Sequence, residues 1–258
     1  MKKLCLVLVM LFALVFAVAC KKEEKVGLER IEDNGKLVVG FTDFQPFGYQ
    51  DEKGNYVGFD LELAKLVADE LGVDVEYKYI DWDAQVAELN ENVDCIWNAM
   101  TITEKRKENM VFTKPYWETN LVAVVKVDSE LTKVEDIKGK NIAVEANSTA
   151  DISLNESEDY QVSQFTKVSD ARLAVSSGQA DALVADATYV DDILTKYLGE
   201  YKKLEGTIGD VEEYGVAFRK NEVDIKDKVD QIIDKLYAEG KITPLLEKYF
   251  GEGNGFKR

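Results

Sequence analysis

Histidine occurs nowhere in the 258 residues, so the side chain that most often moves protons at neutral pH, and a principal zinc ligand, is missing. Cysteine is nearly as scarce. Cys5 and Cys20 lie near the N-terminus and Cys95 has no partner in the remaining chain, which excludes a disulfide framework and leaves ordinary cores to hold the fold. The serines and threonines have no base beside them in sequence and no run of metal ligands stands out, so hydrolytic and metal chemistry are poorly provided for. Neither a cofactor nor a metal is expected. Positive charge is also short: 32 Lys and Arg against 49 Asp and Glu give a net −17, a surface that nucleic acid and anionic lipid repel. Past residue 20 there is no apolar run long enough to span a bilayer.

What is present begins at the N-terminus. Lys2 and Lys3 precede an unbroken apolar run over residues 4–19 that ends in small residues before Cys20, the pattern of an export signal. The run falls short of the ~20 residues that cross a bilayer comfortably. Cleavage after Ala19 leaves Cys20 first, and AVAC resembles the lipobox of bacterial lipoproteins; ordinary secretion with an unmodified Cys20 is the alternative. The following KKEEK has no apolar side chain and reads as a hydrophilic tether. The expected layout is a signal peptide at 1–19 and a tether at 20–26 anchored in the bilayer by acylation of Cys20. Stable anchoring needs at least two acyl chains. The domain then sits on the outer face of the cytoplasmic membrane, on its extracellular or periplasmic side.

Strands and helices alternate along the rest. The apolar run at 36–41 reads as a buried strand. Gly58-Phe59-Asp60 opens a helix with Leu63, Leu66, Val67 and Leu71 on one face and Gly72 as its stop. A strand at 73–80, a short helix at 83–89 and a strand at 93–97 complete a βαβαβ unit, which implies a parallel sheet flanked by helices. The pattern then restarts, with strands at 141–144 and 182–185 and helices at 148–154, 170–177 and 190–197. A strand at 214–218 and helices at 222–239 and 242–250 end the chain. Two α/β lobes are the economical reading. Ligands of open α/β sheets bind beyond the carboxyl ends of the strands, which draws attention to Asp43 and Phe44, to Trp82, to Asn98, Ala99 and Thr101, to Asn147, Ser148 and Thr149, and to Asp186.

Arg106 follows one short step later. Thr101-Ile102-Thr103-Glu104 has the spacing of a capping box, so a helix is expected to begin near Thr101 or Thr103 with Arg106 in its first turn. A cation there opposes the positive end of the helix dipole and calls for an anion nearby. A bound carboxylate fits, because a guanidinium matches it with two prongs. A surface ion pair with Glu104 or Glu108 is the competing reading.

Several strings then carry a resemblance. MTITEKR at 100–106 with VFTKPY at 111–116, VGFTDFQPFGY at 39–49, GNYVGFDLELAKLVADELG at 54–72, DIKGKNIAVEANST at 136–149, GQADALVAD at 178–186 and EYGVAFRK at 213–220 resemble, in order, the polar amino acid-binding proteins of ABC importers, bacterial solute-binding protein family 3. The resemblance implies a two-lobed, type II periplasmic-binding-protein-like fold with mostly parallel sheets and a two-strand hinge. On its chain order, residues 27–119 and 215–258 form one lobe and 120–214 the other, with the crossings near 120–124 and 211–215. It also implies roles. Arg106 grips the α-carboxylate of an amino acid, helped by the Thr101 hydroxyl and the backbone N–H groups of Ser148 and Thr149. Asp186 takes the α-ammonium, with Ala99 and Thr101 near it, and Phe44 and Trp82 flank the ligand side chain. Two positions depart from the family pattern: Asn147 stands where Gly is usual, and Ala99 where Ser or Gly is common.

Asp43, with Asp81 and Asp83 close in sequence, either favours a cationic side chain or belongs to a solvated acidic surface. The implied partners are a free amino acid and the transmembrane subunits of an ABC transporter, with the protein itself a monomer. A dehydratase on this fold, with Glu118 or Glu145 as general acid, and a sensory domain fused to another module are the alternatives.

Overall fold

The computed structural model describes residues 25–251 and 255–258; the expected signal, Cys20 and most of the expected tether lie outside them. Helix α1 (Gly27–Asn34) leads into β1 (Lys36–Phe41), whose Leu37, Val39 and Phe41 are fully buried. A small hairpin of β2 (Tyr49–Gln50) and β3 (Tyr56–Val57) precedes α2 (Phe59–Leu71). Gly58 has φ 134°, and a Cβ there would meet the Phe47 carbonyl oxygen at 2.2 Å, so only glycine lets the chain enter this helix. Strand β4 (Asp74–Tyr79) lies parallel to β1, pairing Lys36 with Asp74 through to Phe41 with Tyr79. A single turn at Trp82–Ala84, then α3 (Gln85–Glu91), brings the chain to β5 (Cys95–Ile96), parallel to β1 on its other side. The third strand is thus shorter than the expected 93–97. Helix α4 (Glu104–Lys107) and β6 (Met110–Phe112) follow.

Strand β7 (Trp117–Lys126) enters a second sheet with β8 (Asn141–Glu145), β9 (Gln161–Phe165), β10 (Ala182–Asp186) and β11 (Tyr201–Lys203), in the order β11-β7-β10-β8-β9. Helices α5 (Thr149–Asn155), α6 (Val168–Ser177) and α7 (Ala187–Lys196) belong to this part of the chain. β8, β9 and β10 run parallel, and β7 is antiparallel to β10 and β11.

Strand β12 (Ile208–Tyr214) pairs with β7. Two residues later β13 (Ala217–Arg219) has changed sheets and lies between β5 and β6, giving the first sheet the order β4-β1-β5-β13-β6. The single strand expected at 214–218 is therefore two. The break is at Gly215: its N–H donates to Met100 O at 3.0 Å, and a Cβ there would sit 2.8 Å from Ile102 Cδ1. Helices α8 (Val223–Ala238) and α9 (Thr243–Tyr249) return to the first sheet's side.

The fold is mixed α/β with two lobes, each a helix-flanked sheet. The chain crosses between them where Trp117, Glu118 and Thr119 pair with Tyr214, Glu213 and Glu212. Of the expected crossing at 120–124, Leu121 to Val124 pair with β10. Residues 255–258 add to the crossing: Glu118 N–H donates to Gly255 O at 2.7 Å and Lys257 N–H to Tyr116 O at 2.9 Å. Rings fill the space beside it, with Trp117 and Phe250 centroids 4.3 Å apart and Phe47 edge-on to Trp117 at 5.2 Å.

Candidate functional site

Between the two sheets lies a narrow cavity of about 30 Å³. Its first-lobe wall is built by the segments that follow β1, β4 and β5: Phe44, then Trp82, then Asn98, Ala99, Thr101 and Arg106. Glu145, Ser148, Thr149 and Asp186 face them from the second lobe. Nine of the eleven positions singled out in the sequence therefore line it, Asn147 and Asp43 being the others. Asp43 lines an adjoining chamber of about 290 Å³ that shares only Trp82 and Glu145 with the cavity.

Local structure explains how each group is held. Thr103 caps α4, its hydroxyl accepting from Arg106 N–H at 3.1 Å, so Thr103 and not Thr101 begins the helix. Arg106 is 9 % exposed; Nη1 donates to Thr101 O at 2.8 Å and Nη2 reaches across to Asn147 O at 3.4 Å. Its guanidinium carbon lies 5.5 Å from the Trp82 ring centroid. The competing reading, a surface pair with Glu104 or Glu108, is not what forms: Glu104 holds Lys107. Asn147 takes φ 57°, a conformation asparagine tolerates well. That turn commits the Ser148 N–H to Glu145 O at 3.2 Å, so the amide expected to face a carboxylate is already occupied. The Ser148 hydroxyl caps α5 by accepting from Asp151 N–H at 3.1 Å.

Ala99 is also left-handed, at φ 50°. Asp60, fully buried at the start of α2, holds it there by accepting the Ala99 N–H at 2.7 Å and the Tyr116 O–H at 2.8 Å. Asn98 Nδ2 donates to Thr42 Oγ1 at 2.8 Å. Phe44 stacks on Tyr189 of the second lobe, centroids 5.2 Å apart. Phe44 and Trp82 are both 8 % exposed.

The sequence reading missed Glu212. From β12 its Oε2 accepts the hydroxyls of Thr101 and Thr149, each at 2.9 Å, joining one lobe to the other at the cavity's edge. The Thr101 hydroxyl, expected to face a ligand carboxylate, is turned to Glu212. Strand alternation held the clue, because Glu212 lies two residues before Tyr214 and so on the same face. Tyr214 in turn donates to Asp186 Oδ1 at 2.5 Å.

One guanidinium thus faces three carboxylates. Burial pulls Arg106 down to about 10, with Glu212 and then Asp186 working against the shift, so it stays a cation at neutral pH. Burial raises Asp186, and the nearby Glu212 charge adds to it. Burial raises Glu212 too, opposed by the Thr149 and Thr101 hydroxyls and by Arg106. Glu145, whose carboxylate accepts the Val168 N–H at 3.3 Å, is pushed by burial up to about 8. Such a site is short of positive charge and rich in hydroxyls and π faces, which suits a small cationic or zwitterionic molecule.

The profile of the bacterial extracellular solute-binding proteins, family 3, matches residues 37–252. The chain belongs to this family. The L-cystine-binding protein TcyJ of Escherichia coli (strain K12) is 30 % identical over 253 residues, covering 94 % of this chain and 93 % of that protein. The glutamine-binding protein GlnH of Bacillus subtilis (strain 168) is 30 % identical over 273 residues, covering 98 % of each. Among solved structures, a mutant of ArgBP from T. maritima superposes with a TM-score of 0.82 at 35 % identity, covering 87 % of this chain and 99 % of that one. A substrate-binding protein of an ABC uptake transporter from Streptococcus pneumoniae with bound histidine gives 0.83 at 29 %, covering 89 % and 98 %. As a family 3 solute-binding protein the chain is a binder of small molecules, extracellular in its class, and the cavity lies at the interlobe position where such folds place ligands. Among the described residues no helix is long and apolar enough to cross a membrane. Glu118, one of two acids weighed for catalysis, lies on the crossing and pairs with Lys257, away from the cavity.

Proposed function

We propose that this solute-binding protein captures a polar amino acid as its zwitterion and presents it to the transmembrane subunits of an ABC importer. One observation carries the reading: Arg106 from the first lobe and Asp186 from the second face one cavity, so a molecule with a carboxylate and an ammonium pairs with both. Arg106 grips the α-carboxylate with a two-pronged contact. Asp186 takes the α-ammonium and Phe44 and Trp82 flank the side chain. Glu212 stands beside Asp186, and an incoming ammonium offsets the charge of both. Because the charges sit on different lobes, the ligand is held fully only when the lobes are together, and its differential affinity for that state drives closure.

A thermal-shift screen of the amino acids tests this, since a ligand that binds only the folded state raises apparent stability. At least one polar amino acid is expected to raise the melting temperature. Arg106→Ala is expected to weaken its binding by about 30-fold to several thousand-fold, the cost of leaving a buried carboxylate unpaired. Binding that survives Arg106→Ala at parental strength removes the clamp from this site.

The monomer is the functional unit on this reading, and acylated Cys20 holds it at the membrane surface. Replacing Cys20→Ser is expected to move the protein from the membrane fraction to the soluble one. Retention at the parental level would rule out the lipid anchor.

A further inference from the structure

We propose that the chamber beside the cavity receives the side chain of the bound amino acid, and that Glu145 selects one that is positively charged. The inference rests on the amino-acid reading above and names the ligand class within it. Glu145 and Trp82 are the walls common to cavity and chamber. A side chain leaving an α-carbon between Arg106 and Asp186 passes between an aromatic face and a carboxylate before it reaches about 290 Å³ of further space. That volume suits a long side chain, and the entrance suits a flat or cationic one.

The charges point the same way. A zwitterion uses Arg106 for its carboxylate and Asp186 with Glu212 for its ammonium. Glu145 is left over. It ends β8 and is mostly withdrawn from water, and the cation that weighs most on it is Arg106, which the ligand's own carboxylate offsets. Asp186 and Asp83 press on it with like charge. Farther in, the chamber carries Asp43 and Asp81 against Lys167, which is exposed and lies over the Tyr79 ring at 5.7 Å. Lys167 is the feature that would favour an anionic side chain, but it stands at the solvent side while Glu145 stands at the entrance. A guanidinium or ammonium beside Glu145 restores the carboxylate to its charged state and adds a cationic partner to the Val168 N–H it already accepts.

Arginine and citrulline test the idea, because they match in shape and differ in charge. Calorimetric titration of the parent protein is expected to give a dissociation constant at least about 30-fold lower for arginine than for citrulline. In Glu145→Gln, which keeps an acceptor for the Val168 N–H, the ratio is expected to collapse to about 3-fold or less. Citrulline or glutamate binding to the parent as tightly as arginine overturns the proposal, and needs no variant to fold. An unchanged ratio in Glu145→Gln also overturns it, by moving charge selection elsewhere. A parent protein that binds none of the amino acids fails the broader reading, and the inference falls with it.

Discussion

At the scale of single residues, buried carboxylates set how this protein responds to pH. Asp60 accepts two hydrogen bonds on one oxygen and is pushed by burial up to about 7, far above the ~3.9 of an unfolded aspartate. Between those values the folded chain holds a proton that the unfolded chain has released, so its contribution to stability is full below pH 4 and is lost as pH rises through 7. Glu145, pushed up to about 8, has the same sign. The parent protein without ligand is therefore expected to lose stability in urea as the pH is raised from 5 to 8. Asp60→Asn keeps an acceptor for Ala99 and Tyr116 but cannot titrate, and its slope below pH 7 should be shallower by up to about 1.4 kcal/mol per pH unit. Equal slopes for the two proteins would mean that Asp60 is charged in the folded state.

At the scale of elements, the decisive feature is the strand pair that joins the lobes. β12 has β7 on one side and the segment carrying Met100 and Ile102 on the other, with Ile102 N–H donating to Glu213 O at 2.8 Å. That places Thr101 and Glu212 within reach of each other. Gly215 ends the strand against the Ile102 side chain, whose far end is flexible enough to yield to one methyl group. Gly215→Ala should therefore cost less than about 1 kcal/mol, whereas Gly215→Val should cost about 1–3 kcal/mol by overpacking and should weaken amino-acid binding through Thr101. Urea unfolding and titration of both variants check this; equal costs would show that Ile102 does not limit the space. These same elements show what could be read in advance. The apolar runs of β1 and β10 and the glycine stop of α2 were plain in the sequence, because burial and helix capping are local signals. Arg106 and Asp186 were marked by their place after strands. Glu212 was not, because a glutamate on an exposed-looking strand acquires its role only from the two threonines brought to it from distant segments. The exact extent of the crossing is hard to read in advance for a similar reason, since β7 is one continuous strand and only its partners distinguish its two ends.

At the scale of the whole molecule, the lobes touch through several groups besides the charged clamp. Phe44 stacks on Tyr189, Asn147 Nδ2 donates to Asp83 Oδ1 at 3.2 Å, and Lys196 donates to Gln45. These contacts are few and partly exposed, which suits the closure proposed above. The strand order carries a further consequence, for the timing of biogenesis. β13 joins β5 to β6 in the first sheet, yet it is made after every strand of the second. A ribosome delivers β7 to β11 as one uninterrupted stretch, while the first sheet waits with a gap for a strand from near the other end. Contacts so distant in sequence form late. Pulsed hydrogen exchange during refolding should protect the amides of 142–144 and 183–185 before those of 95–96 and 111–112; simultaneous protection would count against it. The part of the chain that emerges first is the part that finishes last, which leaves β6 and one edge of β5 unpaired for longest and gives any holding factor its window there.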